Sequence, residues 1–317
     1  MSWKKEELDA HVEIQKKIVN NINTDDKFLI PRFGMGDCQN LSWLLCRVNL
    51  DFKLFCEHPY FEKFKQFVDE RSGIFYDNNE DLYNYLMKNL NSFKNATCIG
   101  MLALTYMNHW KDKDAYILNY LKIEKVIDEH FITTGDVPYN KKYIINSDFP
   151  WYRRNIFHKK KILFISSHAP TMKKQWESGN VFKGHNDKNN KLPETEFIFE
   201  EMVLNTGWKD KSKYKNWKEV FEIMKDRIKN INFDIAIVSA GGYANIICDY
   251  IYTDLNKSAV NRGGDTQLLF CIRGNRWDER AKLNNGNNDL NRSFNEHWTY
   301  HKPQYEELLN VESSCYW

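Results

Sequence analysis

A chain of 317 residues is long enough for two domains of average size or one large α/β unit, and with 42% hydrophobic and 15% aromatic residues it carries too much apolar surface to stay unfolded. Its 45 Lys and Arg against 43 Asp and Glu leave a formal charge of +2, without the basic excess by which proteins grip a phosphate backbone, so no nucleic-acid partner is expected. Its 7 cysteines are odd in number and scattered, with no CxxC or His partner at zinc spacing, which argues against a disulfide framework and for a reducing, cytoplasmic setting.

The chain opens with Leu8, Val12, Ile18, Val19 and Ile22 near helical spacing, an amphipathic helix ahead of a short apolar strand, Phe28-Leu29-Ile30. A glycine turn follows, Pro31-Arg32-Phe33-Gly34-Met35-Gly36-Asp37, and Leu41, Leu44 and Leu45 then mark the inner face of a helix. Further helices are expected from Tyr60 to Val68 and from Asn79 to Phe93, the latter capped by Asp77 or Asn78 and striped by Leu82, Leu86, Leu90 and Phe93. Residues 96–101 read as a buried strand and 111–157 as a mixed stretch ending in Phe149-Pro150-Trp151-Tyr152. The longest apolar run, 99–107, is about half a membrane span, so no transmembrane segment is expected, and the charged N-terminus does not read as a leader.

The second half alternates more plainly. Lys161 to Ser166 is a continuous apolar strand of the kind buried on both faces of a parallel sheet. A Lys/Asn-rich loop, 179–191, precedes a helix carrying Trp217, Val220, Phe221, Met224 and Ile228, and Phe233 to Ser239 forms the next strand. Gly241-Gly242 breaks it; a helix from Tyr243 to Tyr252, a strand from Ser258 to Asn261, the pair Gly263-Gly264 and a helix from Asp265 to Ile272 complete the pattern. This βαβα order predicts an α/β, Rossmann-like parallel sheet flanked by helices, in two α/β halves, 1–157 and 158–317, with a cleft between them.

In such sheets ligands sit beyond the carboxyl ends of the strands, where glycines let backbone approach and helix N-termini offer N–H groups to anions. Three strand ends qualify: Arg32 to Asp37, Ser239 to Tyr243, and Arg262 to Asp265; Arg273 and Arg276 follow the last helix and add guanidinium forks for a pyrophosphate. Paired glycines also serve simply as tight turns, and Asp37 serves equally as a helix cap, a cation ligand or a proton acceptor. His168, Thr171 and Gln175, after the Lys161–Ser166 strand, are ligand contacts or turn and cap groups, and Trp277 and Trp298 are stacking plates or core. A dinucleotide cofactor competes, but Ala240-Gly241-Gly242-Tyr243 is not G-x-G-x-x-G, and Arg262 stands where a ribose-binding acid belongs, so an NADP-dependent oxidoreductase is the weaker alternative.

Taken together, these stretches resemble glycosyltransferases of bacterial and large-DNA-virus surface-glycan synthesis, related to the D-type glycosyltransferase fold. The matching motifs are Arg32-Phe33-Gly34-Met35-Gly36-Asp37, similar to the family's R-F-G-D-G-E; Phe233-Asp234-Ile235-Ala236 followed by Ala240-Gly241-Gly242-Tyr243; Gly263-Gly264-Asp265-Thr266-Gln267-Leu268-Leu269-Phe270; Arg273-Gly274-Asn275-Arg276-Trp277-Asp278; Asn295-Glu296-His297-Trp298; and the closing Glu312 with Cys315-Tyr316-Trp317. The resemblance implies a nucleotide-sugar donor, UDP-sugar favoured, and transfer of a hexosyl or pentosyl group to a hydroxyl of a glycan or glycoprotein acceptor. The family's D-x-E pair, which would hold Mn2+ or Mg2+ on the donor diphosphate, is here Met35-Gly36-Asp37, with one carboxylate absent and the other shorter. Arginines and helix dipoles would then carry more of the leaving-group charge.

The expected site follows. Asp37 is the base or metal ligand and Arg32 orients it; Gly34, Gly36, His168, Gln175, Ser239, Gly241, Gly242, Tyr243, Arg262, Gly263, Gly264, Gln267, Arg276 and Trp277 shape the donor pocket. A protein that keeps the fold and binds nucleotide or glycan without turnover is the alternative from a different class.

Overall fold

The computed structural model describes residues 26–33, 38–71, 73–101, 108–123, 126–128, 159–184, 195–203, 213–264, 266–275, 278 and 294–301. The expected N-terminal helix, Gly34, Gly36, Asp37, Asp265, Arg276, Trp277, the segment 149–152 and the closing Cys315-Tyr316-Trp317 lie outside the described residues.

The strands in chain order are β1 (Leu29–Ile30), β2 (Arg32–Phe33), β3 (Ile99–Met101), β4 (Val126–Asp128), β5 (Lys161–Ser166), β6 (Glu196–Glu201), β7 (Ile235–Ser239) and β8 (Ser258–Asn261). Five of them form the main sheet in the order β1-β8-β7-β5-β6, every neighbour parallel. β1 pairs with β8, so this sheet draws strands from both sides of residue 157. Pro31, which has no N–H to give to a ladder, separates β1 from β2, and β2 pairs not with β8 but with β3, which pairs in turn with β4, in a second parallel sheet. The carbonyls of Leu29 and Pro31 accept from the N–H groups of Thr97 and Gly100 at 2.8 and 2.9 Å, so the strand stays tied to the β3 side throughout the switch.

The apolar runs sort by parity, as a sheet buried on both faces requires. Leu163 and Ile165 of β5, Ala236 and Val238 of β7, Ala259 of β8 and Leu29 of β1 face a large core with helices Gln39–Arg47, Asn79–Lys94, Trp217–Ile228 and Ala244–Thr253. Ile162 and Phe164, Ile235 and Ile237, Val260 and Ile30 face a smaller one with helix Ala169–Glu177, the short helix Asn180–Gly184 and the turn of helix Thr266–Leu269. The chain is thus a Rossmann-like α/β fold with helices on both sides of a parallel sheet.

Local chemistry sets the helix starts. Asn78 caps Asn79–Lys94 by accepting from the Asp81 N–H at 2.9 Å, and Asn216 caps Trp217–Ile228 by accepting from Lys218 and Glu219 N–H; each cap contributes about 1 kcal/mol. The two caps are stitched together: the Trp217 N–H donates to the Phe75 carbonyl at 2.7 Å, the Trp217 indole to the Asp81 carbonyl at 3.2 Å, and Lys218 pairs with buried Asp81 at 2.6 Å.

Two expectations need correction, and two further stretches gain elements. The helix expected to Ile272 ends at Leu269, because Cys271 takes φ +54 and the chain turns into β9 (Ile272–Arg273), which pairs with β10 (Thr299–Tyr300). The mixed stretch after 111 contains helix Asn108–Leu121 and β4. Part of the Lys/Asn-rich loop is the helix Asn180–Gly184, and Glu196–Glu201 forms an edge strand whose acidic ends suit a parallel sheet border.

Candidate functional site

Because every strand of the main sheet is parallel, their carboxyl ends share one rim. Pairing of Ser166 with Ser239, of Val238 with Asn261 and of Ile30 with Val260 puts the segments after β5, β7, β8 and β1 side by side. Four strands at about 4.8 Å spacing span roughly 14 Å, so their loops are in reach of one small ligand.

Gly263 is the meeting point. It takes φ +71, and a Cβ built on it would collide with the guanidinium of Arg32, so the Arg32 side chain lies directly on the glycine's backbone. The Gly263 carbonyl accepts from Ser239 Oγ at 2.5 Å and from Thr266 Oγ1 at 2.7 Å, which ties the β7 end and the next helix to the same residue. Arg262, the preceding residue, is 3% exposed. Gly241 takes φ +52 at the start of the single 3-10 turn Gly241–Tyr243, which feeds helix Ala244–Thr253. The Gly242 carbonyl accepts from the Tyr85 hydroxyl at 2.7 Å, and the same hydroxyl is 3.4 Å from Cys38 Sγ, so Cys38 is held near the Gly241-Gly242 turn. Arg32, Ser239, Gly241, Gly242, Tyr243, Arg262, Gly263 and Gly264 are therefore brought to one place. Asp37, Gly34 and Gly36 lie outside the described residues.

Gly263→Ala is expected to displace the Arg32 guanidinium and impose a left-handed backbone on a residue with a side chain, at about 1–2 kcal/mol. Thermal melting should show that modest loss, and a variant that melts with the wild type would mean that the Arg32 guanidinium does not press on the Gly263 backbone.

Other expected residues have structural partners. The Gln175 amide is fully engaged: Nε2 donates to the carbonyls of Cys271 and His297 at 3.2 and 2.8 Å, and Oε1 accepts from Asn180 Nδ2 at 3.1 Å. It fastens segment 294–301 to the sheet. Gln267 is 1% exposed and its Nε2 reaches the Ile272 carbonyl at 3.4 Å. Arg273, read in the sequence as a fork for phosphate, instead grips Asp278 Oδ1 through Nε and Nη2 at 3.1 and 2.7 Å, between the rings of Phe294 and Tyr300. Trp298 is core, its indole N–H donating to the Gly184 carbonyl at 2.9 Å.

His168 is the N-cap of helix Ala169–Glu177 at the β5 end, 6% exposed, its ring 4.6 Å from that of His301. The sequence reading passed over His301, whose Nδ1 lies 2.7 Å from Thr171 Oγ1 and whose pKa burial pushes down from the usual histidine range to about 4. The unfolded chain returns this ring to about 6.5, so between those values it is the unfolded state that takes up the proton. Stability is full above the unfolded value and falls as pH drops toward 4, by about 3 kcal/mol from this group. Urea unfolding at about pH 7.5 and 4.5 should show that loss in the wild type and much less in His301→Gln; equal losses would remove His301 as its source.

A parallel α/β sheet with a glycine turn, an arginine and a helix N-terminus on its carboxyl rim defines a Rossmann-like protein. The family model described as a GT-D fold-like domain matches residues 78–269. The chain belongs to this GT-D-like family. No curated protein and no solved structure matches it. Among the described residues no helix is long and apolar enough to cross a membrane.

Proposed function

We propose that the protein is a glycosyltransferase that moves a sugar from a nucleotide-sugar donor, a UDP-sugar by preference, to a hydroxyl of a glycan acceptor. The observation that carries this reading is the Arg32 guanidinium seated on Gly263 in a protein whose fold family is GT-D-like. A donor diphosphate laid along the β7 and β8 ends would meet that guanidinium, and the 3-10 turn and first turn of helix Ala244–Thr253 would add the dipole. As the sugar–phosphate bond breaks, negative charge grows on the leaving diphosphate, and a cation already in place stabilises it without reorganisation. Asp37, which closes the Arg32-Phe33-Gly34-Met35-Gly36-Asp37 motif in sequence, would take the proton of the acceptor hydroxyl.

Among the described residues no group of three or more His, Cys, Asp or Glu side chains stands together to hold a metal ion. Asp37, the residue that the family resemblance gives as a ligand for Mn2+ or Mg2+, lies outside the described residues.

A panel of UDP-, GDP- and dTDP-sugars, with and without Mn2+, tests the reading by release of free nucleotide. Turnover with a UDP-sugar and a glycan acceptor is expected. Heat of binding without any released nucleotide would make the protein a binder, and neither heat nor release would overturn the reading.

A further inference from the structure

A chain of three buried asparagines runs under the rim and ends on the backbone of Arg32. Asn245, in the first turn of helix Ala244–Thr253, uses both ends of its amide twice. Its Oδ1 accepts from the Arg32 N–H at 3.1 Å and from Asn261 Nδ2 at 2.7 Å; its Nδ2 donates to the Arg32 carbonyl at 3.0 Å and to Asn89 Oδ1 at 3.0 Å. The residue thus offers Arg32 one acceptor and one donor, the pair that a neighbouring strand would offer, at the place where β2 has left β8 behind. Asn89, Asn245 and Asn261 are 6, 8 and 8% exposed, so these bonds are made away from competing water. Asn89 comes from helix Asn79–Lys94 and Asn261 ends β8, immediately before Arg262 and Gly263, so the network joins the backbone that carries the guanidinium to the backbone on which it rests.

We infer that Asn245 is a positioning residue: it aims Arg32 at the diphosphate by replacing the missing strand ladder, and Asn89 and Asn261 fix its amide. The inference rests on the donor-site reading above. A buried asparagine with four bonds is more than a filler here, because a purely apolar side chain at this position would take away the acceptor and the donor that the Arg32 backbone meets here and one bond from each of two neighbouring amides. The amide is needed where it stands, and two of its four bonds go to the residue that carries the cation.

Calorimetric titration of UDP into the full chain tests this with a double-mutant cycle over Arg32→Ala and Asn245→Ala, thermal melting being recorded for each. Arg32→Ala is expected to weaken UDP about tenfold or more, a charge-assisted contact being lost. Asn245→Ala should weaken UDP by a similar factor, and the double variant should bind no more than about twofold worse than Arg32→Ala, since a misaimed guanidinium and an absent one are equivalent. Losses that multiply would overturn the inference, as would wild-type affinity in Asn245→Ala, because a residue that only stabilises the fold does not lose its effect when Arg32 is gone. Should Asn245→Ala not fold, Asn89→Ala takes its place, removing the acceptor that orients the amide while leaving both Arg32 bonds: a drop of about two- to fivefold that vanishes in the Arg32→Ala background supports the inference, and wild-type affinity overturns it. A wild-type chain that does not bind UDP removes the donor-site reading and this inference with it; UDP binding with multiplying losses removes the inference alone.

Discussion

Replacing Asp37 by Asn is expected to lower kcat for sugar transfer by about 10²–10⁴-fold, the contribution of a positioned general base, while the melting temperature stays within a few degrees of the wild type. Asparagine keeps the size and the hydrogen-bonding reach of the side chain and removes its proton affinity. The expectation comes from the sequence position of the residue, directly before Cys38, whose Sγ lies 3.4 Å from the Tyr85 hydroxyl that holds Gly242. Steady-state rates over a range of acceptor concentrations give the answer, and a variant with wild-type kcat would take Asp37 out of the mechanism.

The second large effect is expected from Arg32→Ala, at about 10²–10³-fold in kcat, the usual consequence of deleting one preorganised charge from a site where negative charge develops. Arg32→Lys should recover part of the rate and no more. Lysine is a point charge that cannot lay a planar fork on the Gly263 backbone or address two phosphate oxygens at once. Because the lost interaction is ionic, raising the salt concentration should slow the wild type more than Arg32→Ala. Equal salt sensitivity in both proteins, or full activity in Arg32→Ala, would place the leaving-group charge elsewhere.

Much of the fold was legible because its core strands are continuous apolar runs. Lys161–Ser166 stands where the sequence placed it, with alternate residues feeding two cores, and Leu41, Leu44 and Leu45 are each 0% exposed. What escaped was hidden by charge. Helix Asn108–Leu121 carries Lys111-Asp112-Lys113-Asp114, which reads as a solvated cluster, and buries Ile117 and Leu118 one turn later. Strand Glu196–Glu201 pairs along its whole length with β5, yet its three glutamates mask the apolar Phe197-Ile198-Phe199 at its centre.

The candidate site was legible as a set of strand ends and not as a set of contacts. Glycines and arginines at Arg32, Gly241 and Gly263 announce themselves locally; that the Arg32 guanidinium rests on Gly263 depends on Pro31 turning the strand from one sheet to another, a tertiary event. Gln175 and Arg273 carry the same side chains that a ligand would select, and only the packing of segment 294–301 shows that Cys271, His297 and Asp278 already occupy them. Asn245 had one local signal, a polar residue in an otherwise apolar helical turn that is 8% exposed, but its partner Arg32 is 213 residues away in sequence.

The central claim is that the carboxyl rim of this sheet cradles a nucleoside diphosphate, and a crystal structure of the full chain grown with UDP tests it most directly. The account predicts diphosphate oxygens at about 2.7–2.9 Å from the Arg32 guanidinium, beside Gly263 and the Gly241–Tyr243 turn. UDP bound at the amino ends of the strands, or on a surface that Arg32 does not reach, would contradict it.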